Sequence, residues 1–289
     1  MTDLPPSRAD TALTAAVQHL RLGGVPSPRV DAELLLAHVL GVPRGRAQVL
    51  ALTGAPLPAA VAAAYRGLVL RRGAREPLQH LTGVAGFRGL ELAVGPGVFV
   101  PRPETEVLAQ HAIDALGDGP ARAVDLGTGS GAIALSLAVE RPGTEVVGVE
   151  RDPAALAWAR RNAERIGARN ARIVEGDLAD GVPEWDGTVD VVVSNPPYVP
   201  DGMVPRDVEV QRFDPALALY GGPDGLDPMR AVVAAAARLL RPGGLLAVEH
   251  GESQGAEVRA LLPADAWSDA ATHPDLTGRD RVTTARSGA

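Results

Sequence analysis

The sequence predicts an α/β protein: a doubly wound, mainly parallel sheet preceded by a small helical bundle. Three observations carry this. From about residue 105, short apolar runs of strand length alternate with segments of helical period. One run ends in Val124-Asp125-Leu126-Gly127-Thr128-Gly129-Ser130-Gly131, a glycine-rich turn between a strand and a helix. Another, residues 189–193, closes on Ser194-Asn195-Pro196-Pro197-Tyr198. Two prolines cannot donate to a ladder, so the strand stops there. Both turns fall at the carboxyl ends of strands, the edge at which open α/β sheets bind ligands.

At 289 residues the chain has room for one large domain and a smaller one. Residues 1–74 read as a helical bundle suited to recognising a substrate protein. Apolar residues recur at helical spacing over 12–22, stopped by Gly23-Gly24, and over 29–40, stopped by Gly41. A short helix at 45–50 and a long one at 58–71 complete it. His19 and His38 sit singly on helical faces and read as structural. Residues 75–100 are rich in glycine, and the apolar stretches 90–94 and 98–100 suggest a β-hairpin connector.

The remaining part, 101–289, is the expected catalytic domain. Strands are expected at 121–126, 145–150, 171–175, 189–194 and 245–250. Helices are expected at 132–140, 153–165, 229–240 and 255–262. The helix 229–240 ends on Arg241-Pro242-Gly243-Gly244, and antiparallel edge strands are expected within 270–284.

Composition narrows the function classes. No apolar run reaches the roughly 18 residues of a membrane span. The start, Met1-Thr2-Asp3-Leu4-Pro5-Pro6, lacks the basic and apolar regions of a secretory signal. There is no cysteine, which excludes disulfides, thiolate metal sites and a cysteine nucleophile, and fits a cytoplasmic protein. His80, His250 and His273 are scattered, so no metal is expected. No Gly-x-Ser-x-Gly elbow is present, and nothing supports the pair Glu104 and Glu106 as glycosidase carboxylates. All 28 basic residues are arginine, and nine of them lie in residues 1–75 against four acids. The rest of the chain is net acidic, which argues against a nucleic-acid track.

The glycine loop is neither a P-loop, lacking Gly-Lys-Ser/Thr, nor a Gly-x-Gly-x-x-Gly dinucleotide turn. Asp125 beneath it would repel pyrophosphate but suit a cationic amino group or a sulfonium. That favours S-adenosyl-L-methionine, cradled by Gly127, Thr128, Gly129, Ser130 and Gly131. Glu150 closes the second strand near the offset, about 20 residues on, at which a carboxylate takes ribose hydroxyls. Asp177 and Leu178 follow the third strand, where Asp177 can accept from an adenine amine and Leu178 can pack on the ring. Asn195 offers one carbonyl acceptor and two N–H donors, the set needed to read a planar amide or amino group.

Six segments in order complete the pattern: Glu76-Pro77-Leu78-Gln79-His80-Leu81-Thr82-Gly83, Pro101-Arg102-Pro103-Glu104-Thr105-Glu106, residues 125–134, Ser194 to Tyr198, Glu249-His250-Gly251, and Asp275-Leu276-Thr277-Gly278-Arg279-Asp280-Arg281. With them the chain resembles a Class I (Rossmann-like) S-adenosylmethionine-dependent methyltransferase. More narrowly it is similar to the release factor glutamine methyltransferases, the HemK/PrmC family. The resemblance implies methyl transfer from S-adenosyl-L-methionine, leaving S-adenosyl-L-homocysteine, without a metal. The acceptor implied is the side-chain nitrogen (N5) of the glutamine in the Gly-Gly-Gln motif of class I peptide-chain release factors. It implies that Asn195 and the Pro196 carbonyl accept from the glutamine amide, with Pro197 stiffening the corner and Tyr198 packing on the side chain. The partners expected are release factors rather than nucleic acid or membrane, met by a monomer. Two positions depart from the family pattern. Leu178 stands where some relatives have an aromatic ring, so Phe99 is a candidate to stack on adenine, and Glu150 replaces the commoner aspartate. The same Asn-Pro-Pro-Tyr logic serves an adenine amino methyltransferase, with Tyr198 stacked on a flipped base. A non-catalytic adaptor on the same fold is the other alternative.

Overall fold

In the computed structural model, which describes residues 7–288, a proline starts and a glycine ends helices such as Pro28–Leu40 and Pro153–Ile166. The first compact unit opens with β1 (Ser7–Arg8), α1 (Ala9–Leu22), α2 (Pro28–Leu40) and α3 (Arg44–Leu52). It continues through β2 (Pro56–Leu57), α4 (Ala59–Gly73) and α5 (Leu78–Thr82). Pro28 takes the first position of α2, where its missing N–H costs nothing, and Gly41 closes that helix at φ +64°. Leu20, Leu35 and Leu36 are wholly buried in this unit's core, and the Tyr65 hydroxyl donates to the Ala32 carbonyl at 3.0 Å. Helix α5 lies inside the expected connector, because Leu78 and Leu81 pack on that core.

The second unit begins with a hairpin, but not at 90–94 and 98–100. It joins β3 (Val84–Phe87) to β4 (Leu90–Ala93), and residues 98–100 are not strand. The turn is Arg88-Gly89, both at positive φ (+44° and +77°), as a tight hairpin of this hand requires. Arginine is not a turn residue. Here its side chain is held by Glu140 at 2.7 Å and by the Glu106 carbonyl at 3.2 Å.

Next come α6 (Thr105–Ala115), β5 (Ala121–Leu126), α7 (Ala132–Glu140), β6 (Thr144–Glu150), α8 (Pro153–Ile166), β7 (Ala171–Glu175) and β8 (Val189–Ser194). After them follow α9 (Val208–Phe213), α10 (Asp227–Leu239), β9 (Leu240–Glu249), α11 (Gly255–Ala260), β10 (Trp267–Pro274) and β11 (Asp280–Ser287). Helix α8 shows why these boundaries hold. Asp152 accepts from the N–H groups of Ala154 (2.7 Å) and Ala155 (3.1 Å), Pro153 follows, and Gly167 ends the helix at φ +73°.

Among the described residues these strands form a seven-stranded sheet in the order β10-β11-β9-β8-β5-β6-β7. The pairs from β9 through β8, β5 and β6 to β7 are parallel, while β11 pairs antiparallel with both β9 and β10. Only β10 of the two final strands is therefore an edge. Strand β9 begins at Leu240, so Arg241-Pro242-Gly243-Gly244 lies within it rather than in a connecting turn. A register shift against β8 between Val189 and Val191 absorbs that segment.

Side chains alternate across the sheet. Val191 and Val193 join one core with Leu108 and Leu135, and Val192 joins the other with Leu126, Met229 and Leu239. The chain runs outward through β5, β6 and β7, then crosses back to β8. The switch of direction falls between β5 and β8, which opens a crevice at their carboxyl ends.

Helix α9 belongs to the first unit, which takes in Arg206–Phe213 as well as the residues up to Val84. Its Glu209 accepts from Arg72 at 3.0 Å and from Arg75 at 2.7 Å, and Arg72 also donates to Asp31 at 2.7 Å. Arg72 is buried, so its charge is tolerable only because two carboxylates flank it.

Candidate active site

The glycine loop leaves β5 and crosses to its neighbour: the N–H groups of Gly127 and Thr128 both donate to the Val149 carbonyl at 2.9 Å. Gly127 sits at φ +75°, and a Cβ there would lie 3.3 Å from Leu178 Cδ2. The Leu178 side chain thus lies close against the backbone at Gly127. Gly131, at φ +84°, turns the chain into α7.

Asp125, at the end of β5, is not exposed to solvent, and its Oδ1 has no hydrogen-bond partner. It is wholly buried, and its Oδ2 accepts from Thr128 Oγ1 (2.6 Å) and the Ala134 N–H (3.1 Å). Burial pushes its carboxyl up to about 7. Its work is to hold the loop. Thr128 and Ser130 are buried with it, and the Ser130 carbonyl accepts from Asn162 Nδ2 at 2.9 Å.

Glu150 closes β6 under the same loop. Its Oε2 accepts from the Gly129 N–H at 2.9 Å and its Oε1 from the Asp152 N–H at 2.8 Å. Each oxygen keeps a lone pair for a further donor. Asp177, beyond β7, pairs with Arg151 at 3.3 Å and accepts from the Ala179 N–H. Phe99 lies beneath the Arg102 guanidinium, 5.0 Å from the ring centroid.

The second half of the site follows β8. Ser194, itself buried, donates its hydroxyl to the Leu126 carbonyl at 2.6 Å and ties the end of β8 to the end of β5. Asn195 and Gly127, the residues that follow, leave the sheet at one edge. The Asn-Pro-Pro-Tyr corner is clamped from below. Val199 donates to the Leu219 carbonyl (2.8 Å) and accepts from the Gly221 N–H (2.9 Å). A Cβ on Gly221 would come within 2.7 Å of the Pro197 carbonyl, and one on Gly225 within 2.4 Å of the Tyr198 carbonyl. Pro196 is buried, Asn195, Pro197 and Tyr198 are half-buried, and Gln254 donates to the Tyr198 carbonyl at 3.1 Å.

Sequence reasoning did not single out the groups that hold Asn195 and Tyr198. Asn195 Nδ2 donates to Thr105 Oγ1 at 3.2 Å, and the Tyr198 hydroxyl donates to Glu249 Oε1 at 3.4 Å. Glu249 is buried, its Oε2 has no hydrogen-bond partner, and burial pushes its carboxyl up to about 7. Arg281 opposes that rise and Glu104 adds to it. His250 lies behind, its Nδ1 on the Gly251 carbonyl (2.8 Å) and its Nε2 on Thr283 Oγ1 (2.9 Å). A carbonyl only accepts, so Nδ1 carries the proton. Among the described residues no group of three or more His, Asp or Glu side chains could hold a metal ion. No helix among them is long and apolar enough to cross a membrane.

A doubly wound sheet with a glycine-rich turn after β5 and an Asn-Pro-Pro-Tyr corner at the switch has the Class I methyltransferase fold. The PrmC N-terminal domain family matches residues 11–83 and the methyltransferase small domain family residues 90–216. A release factor glutamine methyltransferase of Mycolicibacterium smegmatis is 49% identical over 96% of this chain and 98% of its own. One of Streptomyces coelicolor is 50% identical over 94% and 95%. A T. thermophilus 16S rRNA methyltransferase, solved with AdoMet and guanosine, superposes with a TM-score of 0.51 at 25% identity, over 70% of this chain and 49% of that one. The chain belongs to the release factor glutamine methyltransferase family.

Proposed function

We propose that this protein transfers a methyl group from S-adenosyl-L-methionine to the side-chain amide nitrogen of the glutamine in the Gly-Gly-Gln motif of class I peptide-chain release factors. One observation carries the reading. A planar-amide reader, Asn195, is fixed at the sheet switch beside a glycine cradle, in a chain about half identical to enzymes named for that reaction.

The residues present fit the methyl donor. The backbone of Gly127 to Gly131 and the side chain of Leu178 form its cradle, and Glu150 retains acceptor capacity for ribose hydroxyls. Asp177 stands at the adenine end, paired with Arg151. When bound, S-adenosyl-L-methionine supplies a methyl already activated by its sulfonium.

The chain's own residues do the rest. An amide nitrogen is a weak nucleophile because its lone pair is delocalised into the carbonyl. The Asn195 Oδ1 and the Pro196 carbonyl accept from the two N–H bonds of the glutamine amide. That aims the nitrogen at the methyl and favours the positive charge that grows on it. Tyr198 and the stiff Pro196-Pro197 corner hold the glutamine stem, so the reacting atoms meet at about 3–3.5 Å in line. No base is required before transfer, and the proton leaves afterwards.

Labelled methyl transfer tests the reading against its rival. Label on a release factor, lost when its Gly-Gly-Gln glutamine is replaced, supports it. Label on adenine-containing DNA or RNA instead, falling steeply with salt, contradicts it.

A further inference from the structure

We propose that Thr105 and Glu249 are positioning residues that dictate which end of the Asn195 amide faces the substrate. The proposal rests on the reading of the site as a glutamine methyltransferase and goes a step deeper into it.

Three buried or half-buried groups stand in series. Thr105, the first residue of α6 and buried, receives Asn195 Nδ2 on its hydroxyl at 3.2 Å. The Glu249 carboxylate at the end of β9 takes the Tyr198 hydroxyl at 3.4 Å, and the neighbouring Thr105 hydroxyl favours its ionised form. An ionised carboxylate can only accept. Thr105 has one proton, and Glu249 draws it. The Thr105 oxygen is then left as an acceptor, and of the two ends of the Asn195 amide only Nδ2 can serve it. The Asn195 Oδ1 is thereby turned outward, as the acceptor that a substrate N–H requires. A rotated amide would present N–H to N–H and could not bind glutamine.

Glu249 sets both halves of the reader, since the hydroxyl of Tyr198 is turned by the same carboxylate. The charged groups that act on it are Arg281, which favours its ionised form, and Glu104, which disfavours it. Its second oxygen, buried and without a hydrogen-bond partner, marks it as a poor choice for stability alone.

The test uses the full chain with a release factor as substrate and three variants: Thr105→Val, Thr105→Ser and Glu249→Gln. Valine keeps the shape of threonine and removes the acceptor; serine keeps the hydroxyl; glutamine removes the obligate acceptor. Thr105→Val and Glu249→Gln are expected to lower kcat at least about tenfold while S-adenosyl-L-methionine affinity stays within about twofold. Thr105→Ser restores turnover. In ¹H–¹⁵N spectra, which need no turnover, the Asn195 side-chain amide protons are protected in the wild type and lose protection in Thr105→Val. Wild-type kcat in both folded variants, or an unchanged Asn195 amide, overturns the proposal. So does a Thr105→Ser variant as impaired as Thr105→Val, which would mean packing alone. If Thr105→Val fails to fold, Glu249→Gln decides on kcat and on the amide spectrum. A wild-type chain that labels no release factor sinks the functional reading instead, and the amide spectrum then still decides the relay.

Discussion

Replacing Asn162 by alanine is expected to unfasten the glycine-rich loop and the hairpin together. Asn162 is wholly buried in α8. Its Oδ1 accepts from the Ala93 N–H (2.7 Å), and its Nδ2 donates to the carbonyls of Ala93 (3.0 Å) and Ser130 (2.9 Å). The side chain thus acts toward β4 as a neighbouring strand would, and it grips the glycine loop with the remaining hydrogen. Alanine leaves three backbone groups without that partner. At about 1–3 kcal/mol for each buried group left unpaired, and less where a water enters the vacated space, the loss is about 3–5 kcal/mol. A chain of this size loses about 2–4 °C of melting temperature per kcal/mol, so Asn162→Ala should melt about 6–20 °C lower. Calorimetric unfolding measures this, and titration with S-adenosyl-L-methionine reads the loop separately. The affinity should fall as well, because the Ser130 carbonyl is released. A melting shift below about 2 °C with unchanged affinity would refute the reasoning.

Glu150→Ala should weaken S-adenosyl-L-methionine binding more than tenfold, or about 1.4 kcal/mol or more, because it removes the proposed ribose acceptor and frees the Gly129 N–H. Isothermal titration checks it. Glu249 should give opposite pH trends in activity and stability. Turnover should rise as pH climbs through about 7, where the carboxylate that Thr105 and Tyr198 face becomes ionised. Its folded pKa stands above the ordinary carboxylate value. The stability it contributes is therefore fully present at acid pH and is lost as pH rises through about 7. Chemical denaturation of wild type and Glu249→Gln at about pH 5 and about pH 8 isolates the effect: the wild type loses stability relative to the variant across that window.

The place in the fold of motifs made of consecutive residues was legible in the sequence. The loop from Asp125 to Gly131 and the corner from Ser194 to Tyr198 carry their own punctuation, and the structure puts both at one sheet edge, joined through Ser194 and Leu126. Partners far apart in the chain were not legible. Thr105 meets Asn195 across 90 positions and Asn162 meets Ala93 across 69. Gly221 and Gly225 look like ordinary turn glycines until the Pro197 and Tyr198 carbonyls are seen against them. The setting of Asp125 was not legible, because a strand-end carboxylate can turn either way, and here two donors inside the loop claim one of its oxygens. Helix α6 could have been found, since its buried residues Thr105, Leu108, Ala109, Ala112 and Ile113 follow helical spacing. The hairpin could not be placed so simply, because its turn rests on an arginine at positive φ that distant acids hold.

The central claim is that Asn195, fixed beside the glycine cradle, reads a glutamine amide. Mass spectrometry of a release factor incubated with S-adenosyl-L-methionine and either wild-type or Asn195→Ala protein tests it most directly. The account predicts one added methyl on the Gly-Gly-Gln glutamine with the wild type, and almost none with the variant although the variant still binds the methyl donor. Equal methylation by the two proteins would contradict it.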